Sequence, residues 1–252
     1  MWGKIQKTNT ISNGMIDTHS HIVFGMDDGA RNKRDTRKML EHAYADGIRA
    51  IIATPHYRLE RWNFQTEGFR SALEETRAIA SEISPDLRIY PGNEIYYRDE
   101  IPFLLREKKI FTLAGSRYVL VEFHPSQPAA YIRQALQRLQ MEGYLVILAH
   151  VERYTELTGD FDSLENLTEL GIYLQVNAST LLGDQGRSLQ KLTKKLLKKG
   201  MITLVASDSH DVRRRPPELA ECFHYIRKKA GFSMAEKLCK VHPMKIIKNE
   251  MI

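Results

Sequence analysis

Seven short apolar runs recur along the chain, and most of them end in a polar residue able to bind a metal ion or a phosphate group. Both faces of each run are apolar, which is typical of parallel strands buried between two layers of structure. The runs are MIDTHSH from Met15, IRAIIATPH from Ile48, LRIYPGNE from Leu87, YVLVEF from Tyr118, YLVILAH from Tyr144, IYLQVNAS from Ile172 and ITLVASDSH from Ile202.

Segments with helical periodicity separate these strands, and three of them, at 34–47, 129–143 and 187–200, end on a glycine. A glycine just past a helix is the expected stop signal, because it adopts a left-handed conformation without strain. Alternating strands and helices predict parallel strands joined by right-handed crossovers. Seven such units predict an α/β fold with a closed or nearly closed barrel, and an open doubly wound sheet is the alternative. After Pro216, two or three helices are expected to close the fold.

A single domain is predicted over residues 15–252. Residues 1–14 are polar and without periodicity, so we expect them to form an N-terminal tail or an added leader. No run approaches the roughly 20 apolar residues of a membrane span, and no secretory signal begins the chain. The two cysteines, Cys222 and Cys239, are too few for a disulfide framework. These features predict a cytoplasmic protein without membrane insertion.

The formal net charge of +6 could indicate binding to nucleic acid. Much of the excess, however, lies within one predicted helix, at a spacing that places it on the face exposed to water. We therefore expect no nucleic-acid partner. The lysines in question are Lys191, Lys194, Lys195, Lys198 and Lys199.

The polar ends of the strands carry the candidate chemistry. In a barrel of this type the carboxyl ends of all strands meet at one face, so residues distant in sequence become neighbours there. His19 and His21 are two apart on the first strand and point the same way. The predicted metal ligands are His19, His21, Asp28, His56, Glu94, Glu122, His150, Asp208 and His210.

Five histidines and four carboxylates without a thiolate favour manganese, iron, zinc, cobalt or magnesium. So many ligands exceed the needs of one ion, and two or three neighbouring ions suit displacement at phosphorus. Three divalent ions and four carboxylates would leave about two positive charges, which would attract a phosphate dianion.

Two arginines follow the predicted ligands closely. Arg153 comes three residues after His150, and Arg215 comes five residues after His210. The planar guanidinium group suits the non-bridging oxygens of a phosphate. We therefore predict that Arg153 and Arg215 bind the substrate phosphoryl group and act in catalysis.

A cysteine nucleophile is not expected. Tyrosine phosphatases that use one need the spacing C-x5-R. Six positions after Cys222 stands Lys228, and six after Cys239 stands Lys245. The sequence therefore predicts hydrolysis without a phosphocysteine intermediate.

These motifs, in this order, resemble the polymerase-and-histidinol-phosphatase (PHP) superfamily, whose distorted TIM-like (β/α)7 barrels bind three metal ions. The strings DTHSHIVFGMDDGA, IIATPHY, GNEIYY, SRYVLVEF, AHVERY, LQVNAS and ASDSHDVRRRPP resemble more closely one group within it. That group is the manganese-dependent protein-tyrosine phosphatases of bacterial capsule and exopolysaccharide loci, the CpsB/YwqE type. The resemblance runs from Met15 almost to the C-terminus.

The resemblance implies three divalent ions, most readily Mn²⁺, with Glu94 bridging two of them. It also assigns the family's catalytic arginine to Arg153 and a second one to Arg215. At the fourth strand, either Glu122 or His124 is the ligand, and the resemblance does not decide between them. The implied groups are His19, His21, Glu94 and Asp208; Glu94, Glu122 and His150; and Asp28, His56 and His210.

The same resemblance implies the substrate, which is phosphotyrosine on the tyrosine-rich tail of a cytoplasmic tyrosine autokinase that regulates polysaccharide synthesis. A hydroxide activated by the metals would attack phosphorus and release inorganic phosphate. The alternatives are a small-molecule phosphatase such as histidinol phosphatase, a metal-dependent nuclease, and a catalytically silent module that binds the kinase tail.

Overall fold

The computed structural model describes residues 14–58 and 65–252. The predicted tail therefore lies outside the described residues, except for Gly14. The strands are β1 Met15–Ser20, β2 Ile48–Ala53, β3 His56–Tyr57, β4 Arg88–Pro91, β5 Glu94–Tyr96, β6 Tyr118–Glu122, β7 Leu145–Leu148, β8 Tyr173–Asn177 and β9 Ile202–Ala206. The helices are α1 Lys33–Ala45, α2 Thr66–Ile83, α3 Ile101–Arg106, α4 Ala129–Met141, α5 Thr155–Thr158, α6 Phe161–Glu169, α7 Ala178–Leu182, α8 Arg187–Lys198, α9 Ala220–Ala230, α10 Phe232–Glu236 and α11 His242–Lys248.

The strands form a closed barrel with seven positions around it. One sheet has the order β1-β2-β4, the other has the order β3-β5-β6-β7-β8-β9, and every pairing is parallel. Strand β3 continues the course of β2, and β5 continues that of β4. The ends of β1 and β9 meet, because His21 N–H donates to Ser209 O at 2.8 Å and Asp208 N–H donates to His19 O at 2.9 Å. The predicted α/β barrel is confirmed, and the open sheet is wrong.

Two of the predicted strands are interrupted in the structure. Pro55, between β2 and β3, has no N–H for the ladder, while its carbonyl accepts from Asn93 Nδ2 at 2.9 Å. Between β4 and β5 the backbone at Gly92 packs so closely that a Cβ would lie 2.9 Å from Ile52 Cγ2. These breaks come just before His56 and Glu94, which begin the second strand of each run.

The apolar part of the barrel interior lies deeper than the polar strand ends. Ile52, Leu120, Ile147 and Leu204 belong to one buried cluster, which Ile246 of α11 joins. A larger apolar cluster packs strands against helices. One end of the barrel is therefore sealed by the C-terminal helices, and the opposite end carries the polar side chains.

The helices agree with the sequence pattern. Strongly periodic segments became α1, α4 and α8, and the segment after Pro216 contains α9, α10 and α11. In the part of the chain that the structure describes, no helix combines the length and the apolar character that a membrane span needs.

A buried carboxylate fastens the first strand to the last. Asp17 accepts from Ser207 N–H at 3.1 Å and from Ser207 Oγ at 2.5 Å, and from His19 N–H at 3.3 Å. Burial raises the pKa of Asp17 to about 6, although its hydrogen bonds to Ser207 oppose the shift. The carboxyl group thus holds protons more tightly in the folded chain than in the unfolded one.

Asp17→Asn is expected to change how stability depends on pH. Because the folded pKa of Asp17 lies above its unfolded value, the native state binds more protons in that interval, and stability falls as pH rises through it. Relative to Asp17→Asn, the wild-type free energy of unfolding should therefore decline by about 2 kcal/mol between pH 4 and pH 7. Urea unfolding in EDTA measures this difference. The exposed control Asp184→Asn should run parallel to the wild type, and a parallel curve for Asp17→Asn would contradict the assignment.

Candidate metal centre

The nine predicted ligands come together at the carboxyl ends of the strands. The structure places His19 on β1 with His21 just beyond it, Asp28 in the loop before α1, His56 on β3, Glu94 on β5, Glu122 on β6, His150 two residues beyond β7, and Asp208 and His210 beyond β9. Because all but Asp28 stand on or within four residues of the end of a strand, the barrel fixes their backbone while their side chains reach the mouth.

A first group joins His19, His21, Glu94 and Asp208, whose ligand atoms all lie within 4.8 Å of one another. His19 Nε2 is 3.1 Å from Glu94 Oε2 and 3.3 Å from Asp208 Oδ1. His21 Nε2 is 3.3 Å from the same Glu94 oxygen. All four side chains are buried, so this is the innermost position for a cation.

A second group lies nearer to solvent and joins His21, Asp28, His56 and His210. Asp28 Oδ1 is 3.5 Å from His56 Nε2 and 3.5 Å from His210 Nε2. The Asp28 side chain is 47% exposed, so this position opens toward the outside.

A third group joins His56, Glu94 and Glu122. His56 Nδ1 is 3.0 Å from Glu94 Oε2 and 3.1 Å from Glu122 Oε1. His150 Nε2 lies beside it, 2.6 Å from Glu94 Oε1 and 3.8 Å from Glu122 Oε2. Glu94 therefore stands in two groups, as the resemblance implies, and the geometry also places His21 and His56 in two groups each.

The structure distinguishes between Glu122 and His124, the two candidate ligands at the fourth predicted strand. Glu122 points into the cluster, whereas His124 is exposed and its Nδ1 lies 2.8 Å from Ser126 Oγ. The structure thus brings Glu122, and not His124, to the site.

Several ligand atoms are buried without a hydrogen bond to any residue that the structure describes. They are Glu94 Oε2, Asp208 Oδ1, His56 Nδ1 and His210 Nε2, each within the cluster. An unsatisfied buried polar atom costs about 1–3 kcal/mol, and more if charged, so a cation would relieve a considerable penalty. Imidazole and carboxylate donors also suit borderline and hard divalent ions. The residues therefore fit metal ions.

Two carboxylates of the cluster, those of Glu94 and Asp208, are ionised in spite of their burial. Burial alone disfavours the charged form, but the imidazoles of His19 and His56 hold the pKa of Glu94 well below its usual value. For Asp208, burial is likewise outweighed, by His19, His21 and the arginines, so its pKa is also well below normal. Both carboxylates offer a full negative charge to a cation.

Both predicted catalytic arginines contact the same carboxylate oxygen. Nη2 of Arg153 lies 2.8 Å and Nη2 of Arg215 lies 2.5 Å from Asp208 Oδ2. Their side chains are 39% and 36% exposed, respectively. Each guanidinium group has five N–H donors, so most of them remain to face a ligand at the mouth.

Two of the predicted ligands have a strained backbone. His150 has φ of +32° and Asp208 has φ of +53°, which is the left-handed region that residues with a side chain rarely adopt. Such conformations persist where the surrounding structure enforces them, and they concentrate at functional sites. Here each turns the chain sharply at a strand end, aiming its side chain inward.

Sequence reasoning did not assign a role to Asp27. Its Oδ2 lies 2.7 Å from His21 Nδ1 and accepts from the backbone N–H of His56 at 2.8 Å, while Oδ1 accepts from Gly29 N–H at 2.9 Å. Asp27 thus orients a predicted ligand, while its neighbour Asp28 joins the cluster. Gln175 and Asn177 on β8 were also missed, although two polar residues in an apolar run were a visible signal.

The thiols are unsuited to nucleophilic chemistry. Cys222 and Cys239 are both buried. Burial raises the pKa of Cys239 to about 12 and raises that of Cys222 well above its usual value, so both stay protonated. This agrees with the absence of the C-x5-R spacing.

The family model described as capsular polysaccharide synthesis, CpsB/CapC, matches residues 15–248. The chain belongs to the CpsB/CapC family. Among curated relatives of this family, tyrosine-protein phosphatase CpsB of Streptococcus pneumoniae is 33% identical over 243 residues, covering 94% of this chain and all of that protein. Tyrosine-protein phosphatase YwqE of Bacillus subtilis (strain 168) is 32% identical over 217 residues, covering 86% and 85% respectively.

The solved structures give the same family. A chain from the crystal structures of YwqE from Bacillus subtilis and CpsB from Streptococcus pneumoniae superimposes with a TM-score of 0.88 at 30% identity. The match covers 94% of this chain and 96% of that one, and those proteins are described as unique metal-dependent tyrosine phosphatases. The resemblance seen in the motifs of this CpsB/CapC protein is confirmed.

Metal binding is expected to stabilise the fold through Glu94. Addition of Mn²⁺ at about 100 times its dissociation constant should raise the free energy of unfolding of EDTA-treated protein by about 2.7 kcal/mol per site. Glu94→Gln should lose most of this gain, because a neutral amide oxygen binds a divalent cation less strongly than a charged carboxylate does. Thermal unfolding with and without Mn²⁺ measures the effect. The exposed control Glu169→Gln should behave as the wild type; a full gain in Glu94→Gln would remove Glu94 from the ligand set.

Proposed function

We propose that this CpsB/CapC protein is a metal-dependent protein-tyrosine phosphatase acting in capsular or exopolysaccharide synthesis. The substrate is phosphotyrosine on the tyrosine-rich tail of a bacterial tyrosine autokinase, the product is inorganic phosphate, and the reaction takes place in the cytoplasm. The curated relatives named above support the activity, and the family description supports the process.

One observation carries the proposal. Nine imidazole and carboxylate side chains converge at the barrel mouth, several of their buried atoms make no hydrogen bond within the described part of the chain, and two arginines stand at the rim. Phosphoryl transfer requires positive charge and positioning more than covalent chemistry, and this arrangement offers both.

The residues that would hold divalent ions are the three groups described above, together with His150. Bound there, such ions supply Lewis-acid stabilisation of the phosphoryl oxygens and lower the pKa of water to near neutrality. We propose three ions, with Mn²⁺ as the physiological metal, on the strength of three overlapping groups and the absence of a thiolate.

The chain's own residues bind and orient the phosphoryl group. Arg153 and Arg215 share Asp208 Oδ2, which holds both guanidinium groups at the edge of the cluster with donors left for the phosphoryl oxygens. Preorganised donors of this kind stabilise the charge that builds up in the transition state. The leaving tyrosine has a pKa of about 10, so its phenolate departs more readily than an alkoxide would.

The activity predicts a defined dependence on metal. Hydrolysis of p-nitrophenyl phosphate and of a phosphotyrosine peptide should stop in EDTA and return on addition of Mn²⁺, because buried carboxylates alone repel the phosphate. Orthovanadate should inhibit weakly, since no thiolate is available. Phosphate release measures all three. Full activity in metal-stripped protein would contradict the proposal.

The same assay separates the alternatives. A small-molecule phosphatase should turn over histidinol phosphate faster than the phosphotyrosine peptide. A nuclease should cleave single-stranded DNA, and a binding module should retain a phosphorylated tail without releasing phosphate. We expect the phosphotyrosine peptide to be the preferred substrate.

Arg153→Ala is expected to lower turnover about 10²–10³-fold while leaving the metal content unchanged, because a donor to the transition state is removed and no ligand is. Steady-state kinetics and elemental analysis of the same sample measure the two quantities. Arg187→Ala, at an exposed position on α8, is the matched control and should keep the wild-type rate. A wild-type rate in Arg153→Ala would exclude it from catalysis.

A further inference from the structure

Two amide side chains on β8 lie directly behind the metal-binding cluster, and the function proposed above gives them no role. Gln175 and Asn177 are two residues apart on one strand, so their side chains point to the same face. They are 0% and 3% exposed, respectively. Buried amides are costly unless their donors and acceptors are used, so the partners of these two indicate what they do.

Gln175 fixes the imidazole of His19. Its Oε1 lies 3.3 Å from His19 Nδ1 and also accepts from the backbone N–H of His150 at 2.8 Å. Because an amide oxygen accepts and cannot donate, its contact with His19 requires the proton on Nδ1 of the imidazole. That tautomer leaves the lone pair on Nε2, which is the atom 3.1 Å from Glu94 Oε2 in the first group.

Asn177 fixes the carboxylate of Asp208. Its Nδ2 donates to Asp208 Oδ2 at 2.8 Å, the same oxygen that both arginines contact. Asp208 Oδ1 makes no hydrogen bond to any residue that the structure describes, and it lies 3.3 Å from His19 Nε2. One carboxylate oxygen is thus occupied by protein donors, and the other is kept for a cation.

The two amides are joined to each other and to the backbone. Gln175 Nε2 donates to Asn177 Oδ1 at 2.9 Å. The backbone N–H of Asn177 in turn donates to Oε1 of the buried Glu152 at 2.9 Å, which fixes the end of β8 against the loop after β7. The connection from His19 to Asp208 is therefore continuous.

We propose that Gln175 and Asn177 are positioning residues that form an amide relay, His19–Gln175–Asn177–Asp208. The relay sets the tautomer of one ligand and the orientation of another, so that both face a divalent cation. A neutral amide can accept from one neighbour and donate to the next without adding charge to the cluster. This proposal rests on the proposed function, because it assumes that the first group binds metal.

The test is a titration of metal-free protein with Mn²⁺, in which electron paramagnetic resonance reports the free ion and no substrate is present. Gln175→Met and Asn177→Leu preserve side-chain volume but break the relay, and each should weaken the affected site about 10–100-fold. The double variant should lose little more Mn²⁺ affinity than the single variant that binds Mn²⁺ more weakly, because either change alone interrupts the relay. Gln175→Glu retains the acceptor for His19 and should recover part of the affinity lost in Gln175→Met.

Gln190→Met is the matched control. Gln190 is a part-buried amide whose Nε2 donates to Leu182 O at 2.6 Å on α7, so its loss should affect stability but not the dissociation constant of Mn²⁺. Thermal unfolding in EDTA separates a loss of stability from a loss of metal affinity.

Three results would overturn the relay. Wild-type affinity in folded Gln175→Met and Asn177→Leu would do so while leaving the phosphatase proposal intact, and so would strictly additive losses in the double variant. Wild-type protein that binds no Mn²⁺ would overturn both proposals. If Gln175→Met does not fold, Asn177→Leu alone tests the relay. This variant leaves the contact between Gln175 and His19 in place, and the same loss of Mn²⁺ affinity is expected through Asp208.

Discussion

The structure depends on compensation between opposite charges buried at one end of a barrel. Glu94 and Asp208 are almost completely buried, and isolated carboxylates there would be prohibitively unstable. Contacts with His19 and His56 keep Glu94 ionised, and contacts with His19, His21 and the arginines keep Asp208 ionised. The same end closes the barrel, since the backbones of β1 and β9 meet beside these residues. Closure of the barrel and the placement of the site therefore depend on the same strand ends.

Glu94 and Asp208 share one arrangement, in which the two oxygens of each carboxylate have different partners. Glu94 Oε1 contacts His150, and Asp208 Oδ2 contacts the arginines and Asn177. Within residues 14–58 and 65–252, Glu94 Oε2 and Asp208 Oδ1 have no hydrogen-bond partner. Asp27 differs, because both its oxygens are used by protein donors. This separation distinguishes a residue that can bind a cation from one that only orients its neighbour.

Membership of the CpsB/CapC family and the chemistry of the site point in the same direction. Phosphotyrosine hydrolysis by a cysteine nucleophile needs a thiolate near an arginine, whereas here the thiols are buried and protonated. The arginines stand instead beside Asp208, within reach of imidazoles and carboxylates. The polar strand ends of this barrel concentrate positive charge where a phosphoryl group would bind. In a cysteine-based phosphatase, the loop that carries the nucleophile and its arginine has the same task.

The sequence by itself determined the strands, the main helices and the nine residues at the mouth. Strand and helix periodicity are local properties, and parallel strands must bring their carboxyl ends to one face. It could not decide between Glu122 and His124, assign separate tasks to Asp27 and Asp28, or reveal the relay through Gln175.

Those choices belong to the tertiary structure, because they depend on distances of a few ångströms between side chains of different strands. Register, the breaks at Pro55 and Gly92, and the left-handed turns at His150 and Asp208 set these distances. Pro55 and Gly92 are visible in the sequence, but the distances that follow from these features are not, since they arise only when the barrel closes and neighbouring strands fix one another.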